Sequence, residues 1–177
     1  MDYQEPNVST EQAHPEDLTD ILKLFDQVQA WLIASGLAGQ WGTEPFSESE
    51  LQRERFSGWL EHGLLYALCN QDRVVGSLVI NPEIPSYAKQ ACEQHPKQAL
   101  YLEAFAVHPN LRGKGLGGRL LEFAEREAER QNIGWLRLDC WADNNRLKRY
   151  YLERGYREFA QCELGTWRGA VFEKRIA

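Results

Sequence analysis

The sequence has few of the residues and spacings that build a metal site or a disulfide framework. Its 177 residues include four cysteines, and no two of them form a C-x-x-C pair. The four histidines form no cluster with the spacing of metal ligands. We therefore expect no bound metal, and we expect reduced thiols in the core, as is usual for cytosolic proteins.

Long apolar runs and excess positive charge are missing too. No stretch approaches the roughly 18 apolar residues of a transmembrane helix, and the first residues lack the charged and apolar regions of a secretion signal. The 20 lysines and arginines are outnumbered by 26 aspartates and glutamates, giving a net charge of −6. Binding to nucleic-acid phosphates needs the opposite balance. These absences predict a soluble cytoplasmic protein with no membrane or nucleic-acid partner.

The chain is long enough to bury one core without a metal or disulfides, so we expect one domain. Apolar residues with the helical period of 3.6 run from Leu18 to Leu32, and Ser47 with Glu50 forms a capping box that predicts a second helix. Further helices are predicted at 118–131 and 144–153, and strands at 7–10, 64–69, 74–80, 101–107, 135–141, 158–164 and 168–176.

A glycine-rich segment between a strand-like run and a helical pattern carries the clearest functional signal. Four of the six residues 113–118 are glycines. The order strand, glycine turn and helix N-terminus leaves several backbone N–H groups without helical partners, beside the positive end of the helix dipole. Glycines let this backbone approach a diphosphate closely, and Arg112 and Lys114 add positive charge. The segment therefore predicts an anion-binding site.

Other nucleotide-binding motifs compete for the same residues. A P-loop would need a glycine at position 108 and a hydroxyl residue at position 115, where the sequence has His108 and Gly115. The dinucleotide fingerprint G-x-G-x-x-G is present at Gly113, Gly115 and Gly118, and Asp139 follows about 20 residues later. Five residues separate this fingerprint from its strand, and too little chain follows for a doubly wound sheet. A dinucleotide site and a purely structural turn remain as alternatives.

Two segments resemble motifs of the GCN5-related N-acetyltransferase (GNAT) family. Residues 101–117 resemble the acetyl-CoA-binding motif, whose signature [QR]-x-x-G-x-[GA] runs here from Arg112 to Gly117. Residues 143–156 resemble the helix that follows in the family, N-x-x-A-x-x-L-Y-x-x-x-G-F. The matching positions of that helix are Asn144, Tyr151, Gly155 and Tyr156, with Leu147 and Tyr150 in place of the usual alanine and leucine.

The resemblance implies a fold and an activity. The fold is a single α+β domain over residues 1–177, with a mostly antiparallel mixed sheet whose central strands splay into a V-shaped cleft between flanking helices. The activity is that of an acyltransferase which uses acetyl-CoA as co-substrate, needs no metal and acetylates a primary amine of a small molecule, an amino acid or a peptide. A non-catalytic acyl-CoA-binding sensor on the same scaffold is the alternative, and a homodimer is left open.

The resemblance also assigns the coenzyme contacts. A strand that separates from its neighbour has unpaired backbone groups, and the pantetheine arm would bind to those of Phe105, Ala106 and Val107. Asn144 would bond to the same arm. The diphosphate would be bound by Arg112, Gly113, Lys114, Gly115, Leu116, Gly117 and Gly118.

Acetylation needs a base for the amine and an acid for the leaving thiolate. By resemblance, Tyr151 is the acid, with Tyr150 as the alternative. Glu103 is the candidate base, because strand alternation places it on one face with Tyr101 and Phe105. A carboxylate among apolar residues is costly unless it is paired with a charge or takes part in the reaction. A structural ion pair of Glu103 with an arginine or lysine is the competing interpretation.

The acceptor site is the least defined part. Trp41 lies in a glycine-flanked loop of the N-terminal half and would contribute an aromatic wall suited to a cation or a flat ring. Glu83 is a candidate for binding the ammonium, as are Glu44 and Glu61. We interpret residues 82–99 either as a flap over the acceptor site, with a helical turn, or as an ordinary surface loop.

Overall fold

A computed structural model describes residues 7–176, which form a seven-stranded sheet with helices on both faces. In chain order, the elements are β1 (Val8–Gln12), α1 (Leu18–Ala34), α2 (Glu50–Glu61), β2 (Leu65–Asn70), β3 (Arg73–Asn81), α3 (Ser86–Glu93), β4 (Ala99–Val107), α4 (Leu116–Arg130), β5 (Trp135–Trp141), α5 (Asn145–Leu152), β6 (Arg157–Leu164) and β7 (Trp167–Arg175). The predicted elements are all present, with ends that differ by a few residues, and α3 is longer than the helical turn expected within residues 82–99.

The sheet has the strand order β1-β2-β3-β4-β5-β7-β6, and every pair is antiparallel except β4 with β5. These two parallel strands are paired only from Ala99 with Trp135 to Leu102 with Leu138. Beyond that point they separate, so the later residues of each strand face a gap rather than each other. The expected mostly antiparallel α+β sheet with a V-shaped cleft between its central strands is thereby confirmed.

Both faces of the sheet are covered by apolar helix faces. Helix α4 buries Leu116, Leu120 and Leu121 against Leu100 and Leu102 of β4. Helices α1 and α2 cover β2 and β3 on the opposite face, and α3 packs there against β6. Among residues 7–176, none of the helices combines the length and apolar character that crossing a bilayer requires.

Strand β4 changes its alternation at Ala104, which has a positive φ of 45°. Val79 is paired with Glu103 and Ser77 with Ala106, so one residue of β3 lies opposite two of β4. Such a bulge reverses which side chains face each side of the sheet. The prediction that Phe105 shares a face with Glu103 is therefore wrong: Phe105 packs with the α4 core.

The start of α2 and the segment before β4 also differ from the prediction. Ser49, not Ser47, caps α2 by accepting a hydrogen bond from the Gln52 N–H at 3.5 Å. The Ser47 N–H instead donates to Asp26 of α1 at 3.1 Å, which fixes the preceding turn. Residues 82–99 contain the eight-residue helix α3, which is packed on the sheet.

Candidate functional site

The separation of β4 from β5 opens a cleft of about 680 Å³ that lies between the glycine-rich loop and the helices α1, α2 and α5. It brings together residues that are far apart in the sequence. Of the predicted site residues, those that line it are Trp41, Glu103, Phe105, Ala106, Val107, Arg112, Gly113, Leu116, Gly117, Asn144 and Tyr151. Those that do not line it are Glu83, Lys114, Gly115 and Gly118.

The loop before α4 has the backbone conformation of an anion-binding turn. Gly113 and Gly115 have φ values of 76° and 77°, which side chains with a Cβ rarely adopt. Gly115 is the N-cap of α4, and its carbonyl accepts a hydrogen bond from the Arg119 N–H at 3.1 Å. Among the described residues, no backbone carbonyl accepts from the N–H groups that precede Arg119 in this turn. The N–H groups of residues 113–118 are therefore free to bind an anion at the positive end of the helix dipole.

Gly117 is required for packing as well as for ligand approach. A Cβ at this position would overlap the Tyr150 hydroxyl and would lie 3.4 Å from the Phe105 ring. Tyr150 cannot easily move away, because the Arg154 guanidinium is stacked on its ring at 3.6 Å. The close approach of the loop to α5 thus depends on the missing side chain of Gly117.

Arginine side chains from the glycine loop and from α5 lie at the same end of the cleft. The Arg112 guanidinium is stacked 3.6 Å above the Trp31 ring, and burial and then the charge of Arg146 lower the pKa of Arg112. Arg146 and Arg149 project from α5 into the cleft lining. The cleft end next to the glycine loop is therefore electrostatically suited to phosphate groups.

Tyr150 and Tyr151 both line the cleft, with ring centres 5.7 Å apart. Tyr151 is only 3% exposed and is surrounded by Phe105, Tyr156 and Phe172. Burial, with a smaller contribution from Cys140, raises the pKa of Tyr151 well above its usual value. Within the described residues no hydrogen bond holds its hydroxyl, so this neutral phenol has a proton to donate to a ligand.

Asn144 caps α5 and also joins the two sides of the cleft. Its Oδ1 accepts from the Leu147 N–H at 3.1 Å, and its Nδ2 donates to Gln40 Oε1 at 3.2 Å. The same Gln40 oxygen accepts from the Trp141 N–H at 3.1 Å. The amide is thus bonded within the protein on both sides, and it fixes the start of α5 next to the end of β5.

Glu103 is buried, and each of its oxygens accepts a hydrogen bond. Its Oε1 accepts from Arg55 of α2 at 2.8 Å, and its Oε2 accepts from Asn81 Nδ2 at 2.9 Å. Asn81 in turn accepts from the Glu83 N–H at 2.9 Å, so the exposed Glu83 contacts the site through its backbone. The structure therefore contains the ion pair of Glu103 with an arginine that is the alternative to a catalytic role.

Asp139 is a site residue that the sequence-based assignment did not include. It follows the last β5 residue that is paired with β4, and its Oδ2 accepts from Tyr101 at 2.6 Å and from Tyr87 at 3.0 Å. Burial raises its pKa to about 6, although the two tyrosine hydrogen bonds act in the opposite direction. The sequence signal that could have identified this residue is an aspartate between Leu138 and Cys140 in a predicted strand.

Aromatic side chains form one wall of the cleft. Trp41 packs on Phe25 with ring centres 4.9 Å apart and on Phe46 at 5.8 Å. The loop of Trp41 is tied to α1 by the buried Gln29, whose Nε2 donates to the carbonyls of Trp41, Gly42 and Glu44 at 3.0–3.3 Å. This wall is therefore rigid and pre-formed.

The four cysteines are free and buried. Burial raises the pKa of Cys69 to about 11 and those of Cys140 and Cys162 to about 12, and it also raises that of Cys92. Thiols in this state are poor nucleophiles, because the thiolate is the reactive form. Within residues 7–176, no group of three or more His, Cys, Asp or Glu side chains has the arrangement of a metal site.

Comparisons with known proteins agree with this geometry. The Acetyltransferase (GNAT) family profile matches residues 25–156. YesJ, an uncharacterized N-acetyltransferase of Bacillus subtilis (strain 168), is 26% identical over 166 residues, which are 91% of this chain and 86% of YesJ.

Solved structures share the fold. An acetyltransferase of the GNAT family from Listeria monocytogenes 4b F2365 superposes with a TM-score of 0.74 at 18% identity, covering 95% of this chain and 94% of its own. The PaiA N-acetyltransferase of Thermoplasma acidophilum, solved in complex with coenzyme A, superposes with a TM-score of 0.71 at 16% identity, covering 96% and 99%.

Proposed function

The chain belongs to the GNAT family of acetyltransferases, and from that premise we propose that it transfers the acetyl group of acetyl-CoA to a primary amine of a small molecule, an amino acid or a peptide. The observation that carries this proposal is the cleft itself. The free N–H groups before α4 and the separated strands β4 and β5 open into one cavity. The free, buried thiols also favour a reducing compartment such as the cytoplasm.

In this proposal the coenzyme occupies the cleft from the glycine loop to the point of the V. The diphosphate is bound by the N–H groups of residues 113–118, with Arg112 and Lys114 at the edge. The pantetheine arm lies along Phe105, Ala106 and Val107, whose backbone has no β5 partner. This arrangement directs the thioester towards Tyr151 and the paired ends of β4 and β5.

The chemistry is a direct attack. The amine nitrogen attacks the thioester carbonyl carbon, the C–S bond breaks, and the sulfur leaves as a thiolate that takes a proton from Tyr151. A phenol whose pKa is raised by burial is neutral at all physiological pH values and can act as this acid. The protonated, buried cysteines support direct transfer over an acetyl-cysteine intermediate. Glu103 is the sequence-based candidate for the base.

The acceptor binds on the aromatic side. Trp41 and the neighbouring rings offer an apolar wall, and Glu103 and Asp139 together outnumber the single guanidinium of Arg55 by one negative charge. An ammonium attached to an apolar or flat body fits this combination.

Thiol release measured with acetyl-CoA and a panel of amines tests the proposal. The panel contains a polyamine, free amino acids and a peptide with a free N-terminus. We expect release that depends on one class of amine and falls with Gly117→Asp, which should weaken CoA binding at least about tenfold, or 1.4 kcal/mol. Unchanged CoA affinity in a folded Gly117→Asp protein, measured by calorimetry, would remove the coenzyme site from the glycine loop.

A further inference from the structure

Three carboxylates of the described residues line the cleft, those of Glu103, Asp139 and Glu153. Glu153 is exposed at the C-terminal end of α5, and of the other two only one keeps an oxygen without a hydrogen bond. Both oxygens of Glu103 are bonded, to Arg55 at 2.8 Å and to Asn81 at 2.9 Å. Asp139 accepts both of its hydrogen bonds, from Tyr101 and Tyr87, at Oδ2. Its Oδ1 has no hydrogen-bond partner within residues 7–176 and is not sealed in the core, so it faces the cleft.

Building on the proposed function, we propose that Asp139 is the base, which accepts the proton of the acceptor ammonium at Oδ1. Glu103 is then a positioning residue, which holds Arg55 at the side of the cleft. Asp139 Oδ1 can take a proton while both tyrosine hydrogen bonds to Oδ2 stay in place, whereas each Glu103 oxygen already accepts a hydrogen bond, one of them from the cation Arg55. This difference decides between the carboxylates of β4 and β5.

The two tyrosines fix the direction of the Asp139 carboxylate. Tyr101 is 1% exposed on β4, and Tyr87 comes from α3, so Oδ2 is held from two elements. With Oδ2 held in this way, Oδ1 lies at the point where β5 leaves β4, which is where a thioester lying along β4 would end. Helix α3, inserted between β3 and β4, thereby supplies a part of the reaction site.

The surroundings of Asp139 suit a group that gains and loses a proton. Burial raises its pKa to about 6, the hydrogen bonds of Tyr101 and Tyr87 lower it, Glu103 raises it and Arg55 lowers it. The titratable groups that face it are Tyr101 and Glu103 from β4, Tyr87 from α3, Arg55 from α2, Tyr151 from α5, Cys162 from β6, Cys92 from α3 and Cys140 from its own strand. A base with this pKa is ionised at neutral pH.

The proton balance of the step is complete. One proton passes from the ammonium to Asp139 Oδ1, which leaves a neutral amine and a carboxylic acid. The amine attacks, the C–S bond breaks, and the thiolate takes the Tyr151 proton. As the amide forms, the nitrogen gives its second proton to the Tyr151 phenolate, which restores the phenol. Asp139 then releases its proton to solvent, so that each turnover yields one amide, one CoA thiol and one proton.

The experiment compares Asp139→Asn with Glu103→Gln in the full chain, using the amine that releases most thiol with the wild-type protein. At saturating amine, the wild-type kcat should rise with pH around 6. We expect Asp139→Asn to lose about 10²–10⁴-fold in kcat together with this rise, while CoA affinity by calorimetry is unchanged. Glu103→Gln should keep the rise and lose much less activity.

Tyr87→Phe provides a second test if Asp139→Asn does not fold. It keeps the Asp139 carboxylate and deletes one hydrogen bond that lowers its pKa. The rise of kcat with pH should therefore move to higher pH. Tyr156→Phe is the matched control, because its buried hydroxyl has no partner among the described residues, and it should leave the rise in place.

The proposal is overturned if Asp139→Asn folds and keeps the wild-type kcat and pH profile, or if Glu103→Gln is the variant that removes the rise. A Tyr87→Phe profile equal to that of the wild type contradicts it as well. A wild-type protein that releases no thiol with any amine overturns the proposed function, and Asp139 as its base with it. The two failures are therefore distinguished by the wild-type rate alone.

Discussion

Adding a single methyl group at Gly117 should separate the packing of the glycine loop from its proposed role in coenzyme binding. In the Gly117→Ala protein the Cβ overlaps the Tyr150 hydroxyl, which is held by the stacked Arg154. Without a ligand, the loop can relax into the empty cleft. Coenzyme A would fill that space, so the cost of the overlap should appear in binding rather than in folding.

The overlap with Tyr150 determines how much CoA affinity Gly117→Ala should lose and which second substitution should restore it. Overpacking by one methyl group costs roughly 1–3 kcal/mol, which corresponds to a loss of about 5- to 150-fold in CoA affinity. Removing the hydroxyl with Tyr150→Phe leaves ring atoms at 3.4 Å from the new Cβ, the edge of ordinary contact. The double variant should therefore recover most of the affinity that Gly117→Ala loses.

Calorimetry with CoA on the two single variants and the double variant completes the cycle. Gly58→Ala in α2 is a matched glycine control, because a Cβ at this position meets nothing within 4 Å, and it should bind CoA as the wild type does. A double variant that binds as weakly as Gly117→Ala would refute the assignment of the overlap to Tyr150. Wild-type affinity in Gly117→Ala itself would show that the loop does not have to approach the coenzyme.

Further predictions concern the acid, the aromatic wall and the sheet. Tyr151→Phe should keep CoA affinity but lower kcat by about 10²–10⁴-fold, and a larger loss with Tyr150→Phe would identify that residue as the acid. Gln29→Leu frees the loop of Trp41, so steady-state kinetics should show a higher KM for the amine with CoA affinity unchanged; equal KM values would contradict the rigid wall. Glu173 is buried, yet hydrogen bonds from Lys97, Arg157 and Arg137 keep its pKa below the ordinary 4.5. Its stabilisation is therefore present above pH 4.5 and lost as the pH falls through the lowered pKa. Glu173→Gln should cost roughly 3–5 kcal/mol at neutral pH in denaturant unfolding, because Arg137 is left buried without its charge partner, and a cost equal to that of the exposed Arg157→Gln would contradict this.

The sequence predicted the order of the elements because most of them have a clear period or a clear break. The run 135–141 has apolar Leu136, Leu138 and Cys140 at every second position, which is a strand pattern, and it is the whole of β5. The bulge at Ala104 could not be predicted, since alanine gives no signal for a positive φ and the cause lies in the pairing with β3. The cap of α2 was misplaced because Ser47 and Ser49 are both good caps, and only the contact with Asp26 decides between them.

The geometry of the glycine loop, where we propose that the coenzyme binds, was predictable from the sequence, and the geometry of the proposed acceptor half was not. A glycine loop acts through its backbone, so its sequence motif nearly specifies its geometry. The acceptor half is built by side chains from α1, α2, α3 and β5, which meet only in the folded chain. Arg55 and Asp139 have no motif around them, and their partners Glu103 and Tyr87 are 48 and 52 residues away in the sequence.

Acetyl-CoA labelled with ¹³C at the acetyl carbonyl, followed through one reaction by NMR, tests the central claim most directly. The account predicts that the label moves from the thioester to an amide of the acceptor amine, with one CoA thiol released for each amide formed. No labelled acetyl group should remain on the protein, because its cysteines are buried and protonated. Label that collects on a protein side chain, in free acetate, or nowhere beyond intact acetyl-CoA would contradict direct acetyl transfer to an amine.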